Sequence, residues 1–178
     1  RVARNWGERP MLVQAEHYAH PSYAVTNFDV LYQQPAQHVG GALWHSFDHQ
    51  RGYHPDPFYG GLMDVFRQPK YSYYMFMAQR PVAEDSQSVG CGPMVYIAHE
   101  MTPFSGKDVT VYSNCDEVRL TYLEGGKTHI YKKDKNRKGM PSPIITFSGV
   151  YDFMADKALA MKGRQEEVYL LAGGSIDG

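Results

Sequence analysis

Cysteine is scarce in this chain: Cys91 and Cys115 are the two present, and they form no Cys-x-x-Cys pair. That leaves no disulfide framework and no paired-cysteine metal motif, while a single bridge between the two stays open. Long apolar runs are missing too. Nothing approaches the roughly 20 residues that a membrane-spanning helix needs. Neither sign of charge is in excess: 18 basic and 19 acidic residues leave a net charge of -1. There is thus no electrostatic case for a nucleic acid or an anionic membrane as partner. The stretch from Arg1 to Gly7 lacks the apolar core of a signal peptide. No internal repeat or low-complexity segment occurs.

Aromatic residues are plentiful, with 14 Tyr, 8 Phe and 2 Trp making 13% of the 178 residues. Aromatic faces serve packed cores and sugar-binding clefts alike. The length suits one ordinary domain or two small ones.

The stretch Arg9–His20 carries the clearest chemistry. Its apolar run Met11–Val13 leads into Glu16, His17, Tyr18 and His20. Short apolar runs of this kind read as buried strands. An acid at the end of such a strand stands at the rim where parallel α/β scaffolds display their chemistry. The bland alternative is an ordinary strand ending in a loop acid. Ser22 then caps a helical pattern, Val25, Phe28, Leu31 and Tyr32, which Pro35 stops. A second apolar run, Val39–Trp44, leads into His45, Ser46, Phe47, Asp48 and His49. Strand, helix, strand implies βαβ units and a parallel sheet. Residues 50–61 are turn-rich and read as a long loop. An aromatic helix follows Pro69, with Tyr73, Tyr74 and Met77 predicted on its packed face.

The pattern changes near residue 78. Residues 78–92 read as a linker, and beyond them the apolar residues alternate. Strands are predicted at 94–99, 108–112, 117–123, 144–147 and 168–172, with a short helical excursion at 156–161. Turn clusters separate most of them, as in an antiparallel sandwich. The basic run Lys132–Lys138 has no interleaved aromatics, so it reads as a solvated loop rather than a phosphate-contacting patch.

Three segments in this order resemble the family 2 glycoside hydrolases. Pro10–Glu16 is similar to the seventh strand of that family's barrel, which ends in the nucleophilic glutamate. Gly40–Asp48 is similar to the eighth strand with its active-site tryptophan, and Gly61–Lys70 to the segment that closes the barrel. Val111–Leu120 is similar to the immunoglobulin-like sandwich that follows. Glu16-His17-Tyr18-Ala19-His20 resembles the Glu-Tyr-Ala-His pattern of the β-galactosidases, with His17 as an extra residue. No Asn-x-Lys pair of the β-glucuronidase kind occurs between Gln50 and Gly61. The fold implied is α/β followed by all-β. Residues 1–77 would form the last two β/α units of a (β/α)₈ barrel, 78–92 a linker, and 93–178 an immunoglobulin-like β-sandwich.

The resemblance implies a retaining, exo-acting glycosidase with Glu16 as catalytic nucleophile. Tyr18, His20, Trp44, His45, Asp48 and His49 would be its substrate contacts, a terminal β-galactoside its substrate, and no cofactor would be required. A periplasmic or secreted location is implied as well. Two features of a complete enzyme are absent. A (β/α)₈ barrel takes about 250 residues, and the Asn-Glu dipeptide that carries the family's acid/base glutamate does not occur. The expectation is therefore an excerpt, inactive alone, with the rest of its parent polypeptide or a second copy of itself as partner. A structural zinc at the His17/His20 or His45/His49 spacings is set aside, because strand ends do not bring such pairs to one face. The competing class is a non-catalytic carbohydrate-binding or scaffold sandwich, with residues 94–178 as its working part.

Overall fold

The structure is a computed structural model, and it describes residues 2–19, 27–82, 92–102, 104–121 and 127–151. A 3₁₀ turn, Arg4–Trp6, precedes helix α1, Glu8–Ala19. Helices α2, Phe28–Leu31, and α3, Tyr71–Met77, complete the helical part. Five strands follow: β1 Val95–Ala98, β2 Val109–Ser113, β3 Glu117–Thr121, β4 Thr128–Lys132 and β5 Ile145–Phe147. No helix of the described residues is long and apolar enough to cross a membrane.

Helix α1 overturns the first predicted strand. The reason lies in the residues themselves. Met11, Leu12, Gln14, Ala15 and Glu16 all favour helix, and Pro10 falls in the first turn, where its missing N–H costs little. Glu8 complements the N-terminal end of the helix dipole and His17 lies in the last turn. Met11, Gln14, Ala15 and Ala19 are buried, which is a stripe at helical rather than strand spacing. The second predicted strand is not formed either: residues 39–44 carry no ladder. A barrel strand needs hydrogen-bonding neighbours on both sides, whereas a helix supplies its own bonds. Neither β/α unit is therefore present among the described residues. Asn27 caps α2, its side chain accepting the Val30 N–H at 2.9 Å; Ser22, the predicted cap, lies outside the described residues.

Helix α3 follows Pro69 as predicted but turns a different face inward. Tyr71, Ser72 and Met75 are the buried residues; of the predicted face, Tyr74 packs half-buried against the core, and Tyr73 and Met77 are half-buried. The preceding Lys70 fixes that rotation, because its ammonium is locked inside the protein and carries Tyr71 inward with it.

The all-β part is a small two-sheet sandwich. One sheet has the order β1-β2-β5, and the other is the β3-β4 hairpin. β2 is central and antiparallel to both neighbours, with Tyr96 opposite Tyr112 and Thr110 opposite Thr146. Every residue of β2 is buried. Alternation sends Val109 and Val111 toward the hairpin, where they share a core with Val118, Ile145 and Phe147, flanked by Leu120 and Tyr131. Tyr112 faces the other way, into a core with Met11, Ala15, Tyr71 and Met75. Tyr74 stacks on Tyr96 at 3.6 Å between ring centroids, which docks α3 on the sheet. One core thus joins the helices to the sandwich, and Ala78, placed in the linker by the sequence, is buried within it.

Strand β4 went unread in the sequence, although Thr128-His129-Ile130-Tyr131 after a Gly-Gly turn has hairpin character. The basic run begins at the end of β4, where Lys132 lies 3.8 Å from Glu117. Lys135 pairs with Asp116 at 2.9 Å and Arg137 with Asp29 at 2.7 Å. Lys133 donates to the Asn114 carbonyl and the Ser142 hydroxyl. Much of the run is engaged within the chain. The strand predicted at 168–172, the helical excursion at 156–161 and Cys91 lie outside the described residues. Cys115 is half-buried and forms no disulfide among the described residues.

Candidate functional site

Residues 44–63 fold back on themselves without forming a named strand. His49 and Phe58 exchange backbone hydrogen bonds at 3.3 and 2.8 Å, and the Asp48 N–H donates to the Met63 carbonyl at 2.9 Å. The Trp44–His45 peptide bond is cis. Gly61 permits the close return of the chain: a Cβ there would stand 2.3 Å from Asp48 N and 2.6 Å from Met63 O. That crowding is with backbone, which cannot swing aside.

Asp48 holds this fold from within. It is 3% exposed, and its Oδ1 accepts from the Gly61 N–H at 2.9 Å and from Lys70 Nζ at 2.7 Å. Lys70 is wholly buried and also donates to the carbonyls of Val2 and Tyr59. Burial pulls the Lys70 pKa down, and the Asp48 carboxylate hydrogen-bonded to it pushes back. Asp48 was expected to meet substrate hydroxyls. The structure places it beneath the surface, its Oδ1 shared between Lys70 and Gly61.

Above this anchor lies a pocket of about 350 Å³ between α1 and the loop. Val2, Val13, Phe58 and Trp44 give it apolar walls, and Gln14, His17 and Tyr18 its polar groups. Trp44 is 78% exposed, so the bland reading of it as a core residue does not describe this structure. The Tyr18 hydroxyl donates to the Gly60 carbonyl at 3.2 Å, and Gln14 Nε2 to the Gly61 carbonyl at 3.3 Å. These two bonds tie α1 to the loop. Burial, then the charge of Asp48, raises the Tyr18 pKa, so it remains a neutral phenol. His45 lies between Trp44 and His49, its ring centroid 4.3 Å from each, tilted against the indole and edge-on to His49. Desolvation, then the neighbouring His49, lowers the His45 pKa and favours its neutral ring.

The structure thus brings Tyr18 and Trp44 to one pocket, while His45 and His49 stand behind its Trp44 and Phe58 wall without lining it. It does not bring Glu16 there. Glu16 is half-buried on a different side of α1, and its charge acts on the Tyr112 hydroxyl. His20 lies outside the described residues. Among the described residues, no group of three His, Cys, Asp or Glu side chains is placed to hold a metal ion. Val13, Gln14, Phe58 and Lys70 escaped the sequence reading as parts of this site. For Lys70 a signal existed, since it is the lone cation at the head of an aromatic helix.

No protein-family model matches the chain. It is similar to a protein named Beta-galactosidase from Thermoanaerobacterium thermosulfurigenes, with 30% identity over 146 residues. That match takes in 76% of this chain and 19% of the relative, so the chain spans about a fifth of the length of the curated protein it matches. The chain therefore has a distant relative named for glycoside hydrolysis.

Proposed function

We propose that this chain is part of a retaining, exo-acting glycoside hydrolase of family 2 that acts on terminal β-galactosides. The observation that carries the reading is the 30% identity over 146 residues to a protein named Beta-galactosidase. Glu16 would attack the anomeric carbon and form a covalent glycosyl-enzyme. An acid from outside these residues would protonate the leaving oxygen and then activate the hydrolytic water. Trp44 would offer its flat face to the bound glycoside, with Tyr18, His20, His45 and His49 near its hydroxyls.

This reading requires residues 10–16 to exchange the helix for a strand once the other barrel strands flank them. Residues 1–77 would then close the barrel, and the β1–β5 sandwich would be its immunoglobulin-like neighbour. The remainder of the parent polypeptide, or a second copy, would cover the side chains of Val39, Tyr53, Val65 and Phe66, which are exposed here.

Full-length parent protein tests it, assayed on 4-nitrophenyl β-galactoside with product configuration followed by NMR. Turnover with retention, lost in Glu16→Gln, is the expected result. A Glu16→Gln parent that turns over like wild type overturns the assignment. The isolated chain is expected to be inactive, since general acid catalysis alone is worth about 10²–10⁴-fold. A second reading, a carbohydrate-binding module without catalysis, draws on one observation: exposed Trp44 lines a pocket that Glu16 does not reach. Sugar binding by a parent protein that never turns over would favour it.

A further inference from the structure

Asn114 stands in the turn between β2 and β3 and is buried. Its side-chain oxygen accepts the Met94 N–H at 2.8 Å. Its Nδ2 donates to two carbonyls, Arg80 at 3.2 Å and Gly92 at 3.0 Å. These partners fix which way the amide faces, since the N–H can only donate and the carbonyls can only accept. Arg80 lies just past α3, and Gly92 just before β1. Both ends of the connection between the helices and the sandwich therefore meet on one nitrogen, with the eleven residues 81–91 between them. Gln79 supplies a second brace: Nε2 donates to the Ser142 carbonyl at 2.8 Å, and Oε1 accepts the Ser142 N–H at 3.0 Å. Lys133 joins the two braces, donating to the Asn114 carbonyl and to the Ser142 hydroxyl.

A Pro-, Ser- and Gly-containing connection ordinarily marks a hinge across which two domains move. We infer that Asn114 is a clamp that closes this connection on itself, so that the helices and the sandwich turn as one body and residues 81–91 carry no part of the join. The inference stands on α3 and the sandwich; neither the state of α1 nor the glycosidase reading enters it. It also marks where the chain accepts a cut or added sequence, because lengthening a stretch whose ends are already held together costs little.

The test is a full chain with a thrombin site, flanked by Gly and Ser residues, inserted between Glu84 and Asp85 and cut in the folded state. The two pieces should elute as one particle down to about 1 μM. Asn114→Ala removes the bond to Arg80 across the cut and leaves that carbonyl unpaired, so the pieces should dissociate at least about tenfold more readily. Asn114→Asp, which keeps an acceptor for Met94 but gives up both donations, serves where the alanine variant does not fold. Hydrogen exchange on the uncut wild-type chain reads the clamp directly. The Asn114 side-chain amide protons should exchange at least about tenfold more slowly than those of exposed Asn136. Wild-type pieces that separate on cutting, cut variants that hold together as tightly as wild type, or Asn114 and Asn136 amides that exchange alike would each overturn the proposal.

Discussion

Strand β2 runs through the interior, the segment 44–63 lies largely at the surface with Asp48, Gly60 and Gly61 buried, and the two are held in different ways. β2 is paired on both edges, to β1 and β5, and both its faces are buried. The segment 44–63 has isolated bridges in place of a ladder, and its centre is an ion pair between Asp48 and Lys70. Its aromatics point outward: Trp44 and Tyr53 are among the most exposed large side chains of the protein. A ladder satisfies the backbone and frees side chains to fill a core. An irregular segment must satisfy its backbone with buried polar side chains, and the aromatics it cannot bury become a surface for something else.

The largest expected effect breaks the irregular half alone. Lys70→Ala leaves the Asp48 carboxylate buried without its cation, which should cost about 3–5 kcal/mol. Lys70→Met paired with Asp48→Leu should cost less than either single change, because no charge is then stranded. Chemical denaturation with hydrogen exchange reads both quantities. Protection in β2 should outlast that in residues 44–63 in the single variant. Equal loss in the two regions would show that they do not differ as described.

Next in size is a pair of glycine substitutions. Gly61→Ala pushes a methyl into the backbone of Phe47 and Asp48 and should destabilise by about 1–3 kcal/mol. Gly52→Ala, with nothing within 4 Å of the added atom, should stay within about 0.5 kcal/mol of wild type. Similar melting shifts for the two would refute the close packing of the segment 44–63.

The same contrast governs what the sequence disclosed. In the all-β half, alternation of period two places β1, β2, β3 and β5 close to their observed bounds, because a strand's buried face is written in every second residue. Strand β4 slipped by because the basic run beginning at Lys132 drew the reading toward a loop. In the helical half, the three-residue apolar run Met11–Val13 fits strand or helix alike, and the stripe Met11, Ala15, Ala19 decided for helix. The pocket residues Tyr18 and Trp44 were legible as chemistry. The role of Asp48 was not, because its partner Lys70 stands 22 positions away and no local pattern links them.

Alkaline pH probes the aromatic joint between the halves. Burial raises the pKa of Tyr71, Tyr96 and Tyr112 above the ordinary 10.0. The folded state then keeps protons that the unfolded chain loses above pH 10, so stability is full below pH 10 and falls as pH rises. The slope approaches about 1.4 kcal/mol per pH unit for each tyrosine. Urea midpoints at pH 8, 10 and 11 measure it. Tyr112→Phe should flatten the fall. It should also cost nothing at neutral pH, because the Tyr112 hydroxyl has no hydrogen-bond partner among the described residues. A loss of stability at pH 8 in that variant would contradict this.

The smallest effect separates two ion pairs of the basic run. Arg137 reaches Asp29 at 2.7 Å, and Asp29 is largely buried and also accepts the Met140 N–H. This contact ties the loop to α2, so Arg137→Ala should lower stability by about 1–2 kcal/mol, between the surface and buried ranges. Lys135 and Asp116 approach as closely, at 2.9 Å, but about three-quarters and two-thirds of their side chains are exposed. Solvent and salt screen such a pair, and holding two long side chains in place offsets the attraction. Lys135→Ala should therefore leave the denaturant midpoint where it is, at both low and high salt. The comparison turns on burial, since the two distances differ little. A clear loss on Lys135→Ala that salt abolishes would mean that exposed pairs stabilise the sandwich after all, and that a loop read as solvated contributes to its fold.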